Sequence, residues 1–224
     1  MTVLLMLCMI VTFLAADRIV QKLRLAKAER RSVQPETILG DPPEGIRLAL
    51  NHTWVKMEKG VAVVGTDEFL SRMLGALESI ILPDVGATVA PASPSIALAH
   101  GERRVRLASP VAGRILEVNT GLLRNPSLAR RDPYRNGWLF RVTPDPSDGL
   151  TSGSFTGEAA REWLRAQMSL AKEFLADVAP RASLVSLPDG GEPVEGALQQ
   201  CDAAAWEEFE RRFTRIHAPE PATT

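Results

Sequence analysis

The chain has 224 residues, of which 45% are hydrophobic and 24% charged. This composition excludes a disordered chain and is sufficient for one domain of ordinary size with extensions. The formal net charge is −1, yet Lys and Arg exceed Asp and Glu by 6 over residues 101–141 and fall short by 7 over residues 142–224. These two blocks attract each other within the fold, face a partner or form solvated surface, and solvated surface is the simplest expectation.

The first sixteen residues contain no charged side chain and therefore require burial. As a helix they cover about 24 Å, so a membrane span needs Ile19, Val20 and snorkelling flanks to complete it. No Lys or Arg precedes this run, whereas six follow it before residue 32. The pattern predicts an anchor helix over residues 1–31 in the cytoplasmic membrane, with the N-terminus outside and the rest in the cytoplasm. The alternatives are a cleaved signal peptide and a buried soluble helix.

A linker is predicted over residues 32–45, where Pro and Gly lie among polar residues. The following region, residues 46–150, has the pattern of short strands separated by turns. A short helix is expected from Asp67 to Leu77, with apolar residues at helical spacing. Strands are predicted at residues 54–57, 61–64, 80–82, 111–118 (two short strands around Gly113) and 138–142. The first two are separated by Glu58-Lys59-Gly60 and are expected to form a hairpin.

A second hairpin is predicted over residues 96–107. Apolar residues alternate with small residues at 96–99 and with a charged residue at 105–107, and Gly101 and Glu102 lie in the turn between them. The Glu102 side chain is therefore expected at the tip of this hairpin.

Eight short motifs follow one another in the chain: Asn51-His52-Thr53-Trp54-Val55, Val64-Gly65-Thr66-Asp67, Leu74-Gly75, Leu82-Pro83-Asp84-Val85-Gly86-Ala87-Thr88-Val89, Ser109-Pro110-Val111-Ala112-Gly113, Glu117-Val118-Asn119, Asn125-Pro126 and Asp132-Pro133-Tyr134-Arg135-Asn136-Gly137-Trp138-Leu139-Phe140. In this order and at nearly this spacing, they resemble the H protein family of the glycine cleavage system. The resemblance implies a mainly β, lipoyl/biotinyl-carrier-like hammerhead, which is a β sandwich or barrel. An N-terminal transmembrane helix and C-terminal helices would be added to it.

The resemblance also implies a lipoyl lysine, eight residues before the proline of the Ser-Pro-Val turn. Counting back from Pro110 reaches Glu102, and the chain has no lysine between residues 60 and 171. Lipoate is attached through an amide to a lysine amine, and a carboxylate cannot form that bond. The chain is therefore interpreted as a degenerate member without the lipoyl lysine, and no cofactor is expected. Lipoate enters only under the alternative that another lysine carries it.

Arginines flank this hairpin tip, and more follow in a later loop. They are Arg103, Arg104 and Arg106, followed by Arg130, Arg131 and Arg135. Together they form either one basic interaction surface for an acidic partner or an anionic headgroup, or a solvated face. The three histidines share no metal-ligand spacing, and no nucleophile elbow or phosphate-binding loop is present, so neither a metal site nor an enzyme is expected.

A C-terminal helical extension is predicted over residues 151–217, followed by a tail at 218–224. One helix is expected from Thr156 to Ala179, and a second, acidic helix from Ala197 to Ile216. The second carries Trp206, Phe209 and Phe213, spaced as i, i+3 and i+7. These rings either pack on the β domain or dock a partner subunit, and the sequence leaves both open.

These observations together predict a membrane-anchored, non-catalytic accessory or scaffold subunit with an H-protein-like domain. Its expected partners are protein subunits of a membrane complex and the membrane itself through residues 1–16, with no nucleic acid. The alternative is a carrier protein of a glycine cleavage-type or related lipoate-dependent system.

Overall fold

The computed structural model describes residues 39–91, 93–146, 154–178 and 195–214. They belong to one compact unit that begins at Leu39. The predicted anchor at residues 1–31 and the tail at 218–224 lie outside the described residues. Within the described ranges, no helix has the length and apolar character needed to cross a membrane.

The described strands form two antiparallel sheets. The larger has six strands in the order β1-β2-β3-β9-β8-β5, and the smaller has three in the order β4-β6-β7. The strands are β1 (Arg47–Leu48), β2 (Thr53–Glu58), β3 (Val61–Thr66), β4 (Ser79–Ile81), β5 (Thr88–Val89), β6 (Pro94–His100), β7 (Arg103–Ala108), β8 (Gly113–Val118) and β9 (Trp138–Pro144). The mainly β architecture expected from the sequence is therefore present.

Helices lie between the strands and after the last one. They are α1 (Glu68–Leu74), α2 (Thr120–Arg124), α3 (Leu128–Arg131), α4 (Gly157–Val178), a 3₁₀-helix (Ala197–Gln200) and α5 (Ala203–Phe209), which continues as a π-helical turn (Glu210–Thr214). The predicted helix after Asp67 is confirmed, with Asp67 as its N-cap. The helix expected up to Ala179 corresponds to α4. The expected second C-terminal helix is instead divided at Cys201 into the 3₁₀-helix and α5.

Both predicted hairpins are confirmed, but one strand prediction is wrong. Residues 111–118 were expected to form two strands around Gly113, whereas β8 is a single strand that begins at Gly113. The residues before it are held in a turn, because the Ser109 hydroxyl donates to the Val111 carbonyl at 2.6 Å and accepts from the Val111 N–H at 3.3 Å. This local bonding keeps Val111 out of the strand.

The core joins side chains from both sheets with those of α1, α4 and α5 in one hydrophobic cluster. Trp54, Phe69 and Phe140 are among its largest fully buried members. Cys201 is buried as a free thiol. The C-terminal helices therefore belong to the same core as the strands.

The described part of the predicted linker packs on the β domain. Leu39 lies against the core cluster, and the Gly40 N–H donates to the Glu68 carboxylate at 2.5 Å. The Asp41 carboxylate accepts from the Arg161 guanidinium of α4 at 2.8 Å. The chain therefore enters the domain along a path that is bonded to both α1 and α4.

Glu68, which binds the Gly40 N–H, makes the free energy of unfolding depend on pH. Burial raises the pKa of the Glu68 carboxyl above its ordinary value of 4.5, and the hydrogen bond from Gly40 only partly offsets the increase. Because the folded-state pKa is the higher one, ionisation favours the unfolded chain. The Glu68 contribution to the free energy of unfolding should therefore fall as the pH rises from the unfolded pKa through the folded pKa.

We expect Glu68→Gln, which still accepts a hydrogen bond from Gly40, to lose this part of the pH dependence. Urea unfolding between about pH 4 and pH 7 measures it. Glu44→Gln, at an exposed position in the same segment, is the matched control and should keep the wild-type slope. An unchanged slope in Glu68→Gln would contradict the prediction.

Candidate functional site

The tip of the β6–β7 hairpin is a two-residue turn formed by Gly101 and Glu102, between the paired residues His100 and Arg103. Gly101 has a φ of 60°, which suits the first central position of a type II′ turn. The Glu102 side chain is exposed. The predicted position of this residue at the hairpin tip is therefore confirmed.

The turn is bonded to the segment that precedes β4. The Gly101 N–H donates to the Glu78 carboxylate at 3.0 Å, and the His100 Nδ1 lies 2.9 Å from the Ala76 carbonyl oxygen. His100 Nδ1 is also 3.7 Å from Glu78 Oε1. These contacts fix the direction in which the tip projects.

The tip residue does not fit a lipoyl group, because the amide bond to lipoate requires an amine and Glu102 has a carboxyl group. The lysines within the described residues lie elsewhere. Lys56 is ion-paired with Glu58 at 3.0 Å, Lys59 is in the turn of the β2–β3 hairpin, and Lys172 is half-buried on α4. The β6–β7 hairpin therefore offers no group at its tip to which lipoate could be attached.

We refer to residues 195–214 as the strap, because they run back over the β6–β7 hairpin. Arg103 Nη1 donates to the Gln199 carbonyl at 2.8 Å. The Arg106 guanidinium donates to Glu210 Oε1 from Nε at 2.9 Å and from Nη2 at 2.7 Å, and its backbone N–H donates to Oε2 at 2.7 Å. These bonds and the Glu210 charge raise the pKa of Arg106. Arg130 Nη1 bonds Glu195 Oε1 at 2.5 Å.

The expectation of one basic surface therefore needs correction. Arg103, Arg106 and Arg130 bond to the strap, whereas Arg104 and Arg131 are exposed. The opposite charges of the two sequence blocks attract each other at the Arg106 and Arg130 ion pairs, while Arg104 and Arg131 lie on solvated surface. The Arg130–Glu195 pair is exposed and orients the strap more than it stabilises it, whereas Glu210 is only 14% exposed, so its bonds to Arg106 also stabilise the strap.

A groove of about 820 Å³ lies between the hairpin and the strap. One wall is formed by residues 100–104 and Arg106 of the hairpin. The other is formed by Asp202, Trp206, Glu207 and Glu210 of the strap. Its two walls carry opposite charges. A groove of this kind suits polar contacts more than an apolar ligand.

The aromatic stripe on the strap is buried. Trp206 is 1% exposed, Phe209 0% and Phe213 2%. Phe209 and Phe213 stack with their ring centroids 4.8 Å apart, and Phe213 lies 5.5 Å from Phe69 of α1 and 5.7 Å from Phe174 of α4. The expectation that these three rings could dock a partner subunit is therefore corrected. They cover apolar side chains of α1 and α4 within the same chain.

A buried polar pair lies beside these rings. His52 Nδ1 is 2.8 Å from Asp67 Oδ2, and both side chains are 0% exposed. The imidazole stacks on Phe69 at 4.1 Å and lies 4.6 Å from Trp163. Asp67 Oδ1 also accepts from the Leu70 N–H. The pair joins the turn before β2 to the start of α1, which is a structural role.

Comparison with known proteins agrees with this architecture. Residues 46–167 match the family model described as glycine cleavage H-protein. The glycine cleavage system H protein of Pseudoalteromonas atlantica is 40% identical over 108 residues, which cover 47% of this chain and 83% of that protein. The corresponding protein of Streptomyces coelicolor is 35% identical over 120 residues, which cover 52% and 96%.

A solved structure was also matched. The crystal structure of a glycine cleavage system H protein from Mycobacterium marinum aligns with a TM-score of 0.48 and 26% identity, over 56% of this chain and 97% of that one. The family match extends from the start of the β domain into α4, and so includes both sheets and the hairpin that carries Glu102. The chain belongs to the glycine cleavage H-protein family.

Proposed function

We propose that this chain is a non-lipoylated H protein that acts as an accessory or scaffold subunit of a membrane-associated complex. The observation that carries the proposal is the exposed carboxylate of Glu102, at the hairpin tip where the family resemblance implies a lysine. Members of this family are carrier proteins. A member without the amine keeps a domain shaped for contact with other proteins and loses the group that would be carried.

The membrane part of the proposal is supported by the sequence of residues 1–31. An uncharged run of sixteen residues is followed by six basic residues, which suits an anchor whose downstream part stays in the cytoplasm. The proposed partners are protein subunits assembled at that membrane. Nucleic acid is not among them, since the net charge is −1.

If the chain is not lipoylated, it should be an unmodified polypeptide. The full chain is coexpressed with a lipoate ligase, and its intact mass is measured. We expect the mass of the sequence alone, without the adduct of roughly 188 Da that an attached lipoyl group adds. The Pseudoalteromonas atlantica H protein, expressed in the same cells, shows whether the ligase is competent.

An adduct on the wild-type chain would contradict the proposal and favour the carrier alternative. Lys59 is the lysine that the structure favours for that alternative, because it is exposed in the turn of the β2–β3 hairpin. Its φ of 51° and the φ of 85° at Gly60 describe a tight turn that holds it there. Lys59→Arg keeps the charge and removes the amine, so an adduct lost in this variant would identify the carrier lysine.

The proposed scaffold role at a membrane is tested on the full chain in native membranes. After extraction in mild detergent, we expect the chain to purify with a stoichiometric protein partner and to resist release from the membrane by salt. A chain that detaches with salt and purifies alone would contradict both the anchor and the scaffold role.

A further inference from the structure

The hairpin that carries Glu102 has an edge that a second protein could pair with. Among the strands that the structure describes, β7 pairs with β6 on one side and with no strand on the other. The Arg106 N–H points away from β6, since it donates to the strap. Residues two apart in a strand present their N–H groups on the same side, so the Arg104 N–H points the same way. Unpaired strand edges of this kind are surfaces on which other proteins dock.

The strap lies along this edge and is bonded to it at two separated points. The Gln199 carbonyl accepts from Arg103 near the start of β7. The Glu210 carboxylate accepts both the backbone N–H and the guanidinium of Arg106 further along. A carboxylate therefore occupies the place on the edge that an incoming strand's carbonyl would need.

The strap is also bonded to the end of α1 and to the residues that follow it. Gln199 Nε2 donates to the Leu74 carbonyl at 2.7 Å and to the Ala76 carbonyl at 2.9 Å. Gly75 and Gly196 meet so closely that a Cβ on Gly75 would lie 2.6 Å from the Gly196 Cα. Gly75 also has a φ of 67°. The strap is thus seated by close backbone packing as well as by charge.

We propose that the strap is an autoinhibitory contact that closes the β7 edge of the hairpin to other proteins. The chain then differs from a carrier in two independent ways: the tip lacks an amine, and the edge beside the tip is covered. The inference concerns access to the hairpin, so it stands whether or not the proposed scaffold role is correct.

The experiment places an amine at the hairpin tip by Glu102→Lys and then removes side-chain bonds that hold the strap on the β7 edge. The full chain with Glu102→Lys is incubated with a lipoate ligase, ATP and lipoate. ATP and the lipoate carboxyl group form a lipoyl-adenylate with release of pyrophosphate, and the introduced amine then displaces AMP and loses a proton as the amide forms. The rate of adduct formation at position 102 is followed by intact mass and peptide mapping. A second protein carries Glu102→Lys with Gln199→Ala and Glu210→Arg, which removes the strap's side-chain bonds to α1 and to Arg106.

We expect the strap variant to be lipoylated about tenfold faster, because loss of charge-assisted hydrogen bonds raises the population of the locally opened edge by about that factor. The matched control is Glu102→Lys with Glu207→Arg. Glu207 is exposed and lines the same groove, and no bond from it to β6 or β7 is found in the described part of the chain. This control should react at the rate of Glu102→Lys alone.

Hydrogen exchange at the Arg106 amide reports on the edge directly. It should be faster in the strap variant and unchanged in the control, with the global unfolding midpoint showing that both proteins are folded. Equal lipoylation rates despite faster exchange at Arg106 would overturn the proposal. Unchanged exchange would overturn it too, because the removed contacts would not be what covers the edge. So would the absence of an adduct from both proteins, because opening the edge would then not admit the ligase.

Discussion

Phe209→Ala is expected to lower the free energy of unfolding by about 3–5 kcal/mol, the range typical of a fully buried aromatic ring. Phe209 is 0% exposed, and its ring lies 4.8 Å from that of Phe213 and 5.9 Å from that of Phe174. The truncation leaves a cavity where the strap, α1 and α4 meet. Chemical denaturation of the full chain measures the loss.

Leu170→Ala is the matched control for this variant. Leu170 lies on α4 and is 38% exposed, so its truncation removes apolar contact without a closed cavity. We expect a loss below about 1 kcal/mol. If Phe209→Ala costs no more than this control, the ring does not belong to the core in solution. The alternative in which the aromatic stripe docks a partner would then be restored.

Asp67→Ala is expected to cost about 2–4 kcal/mol, because the carboxylate performs two tasks at once. One oxygen caps α1 through the Leu70 N–H at 3.1 Å, and the other bonds His52 at 2.8 Å. Its removal exposes a helix end and leaves a buried imidazole nitrogen without its partner. Denaturant unfolding at constant pH measures the change.

Asp202→Ala separates the two tasks. Asp202 caps α5 in the same way, accepting from the Ala205 N–H at 2.9 Å, but it is exposed. Its loss should cost about 1 kcal/mol. The difference between the two variants measures the contribution of the buried His52 pair. Equal losses would show that the pair contributes nothing beyond the cap.

Much of the fold could be predicted because its signals are local. The β2–β3 hairpin follows from two strand-like runs separated by Glu58-Lys59-Gly60, and the β6–β7 hairpin from alternation interrupted by Gly101-Glu102. Tight turns of this kind depend on a few neighbouring residues. Two short helices, α2 and α3, were missed because neither is long enough to establish a helical period. The strand boundary at Gly113 was misplaced, because the bonding of the Ser109 hydroxyl to Val111 is invisible in a hydrophobicity pattern.

The candidate site was predicted less completely than the hairpin that carries it. The position of Glu102 could be derived by counting along the chain, because the tip of a tight hairpin is set by its own turn. The residues that bond to the neighbouring arginines could not be derived from the sequence. Arg106 and Glu210 are separated by 104 positions in the chain, and no local pattern indicates which of the many acidic residues would reach β7.

The sequence by itself therefore determined the family, the strand and turn pattern, and the absence of an amine at the hairpin tip. Each of these depends on residue identity and short spacing. Only the tertiary structure decided that Trp206, Phe209 and Phe213 face inward and that the strap covers the β7 edge. An amphipathic helix shows which of its faces is apolar, but what covers that face depends on residues brought together from distant parts of the chain. Here those residues are Phe69 and Phe174, which the fold places beside the strap.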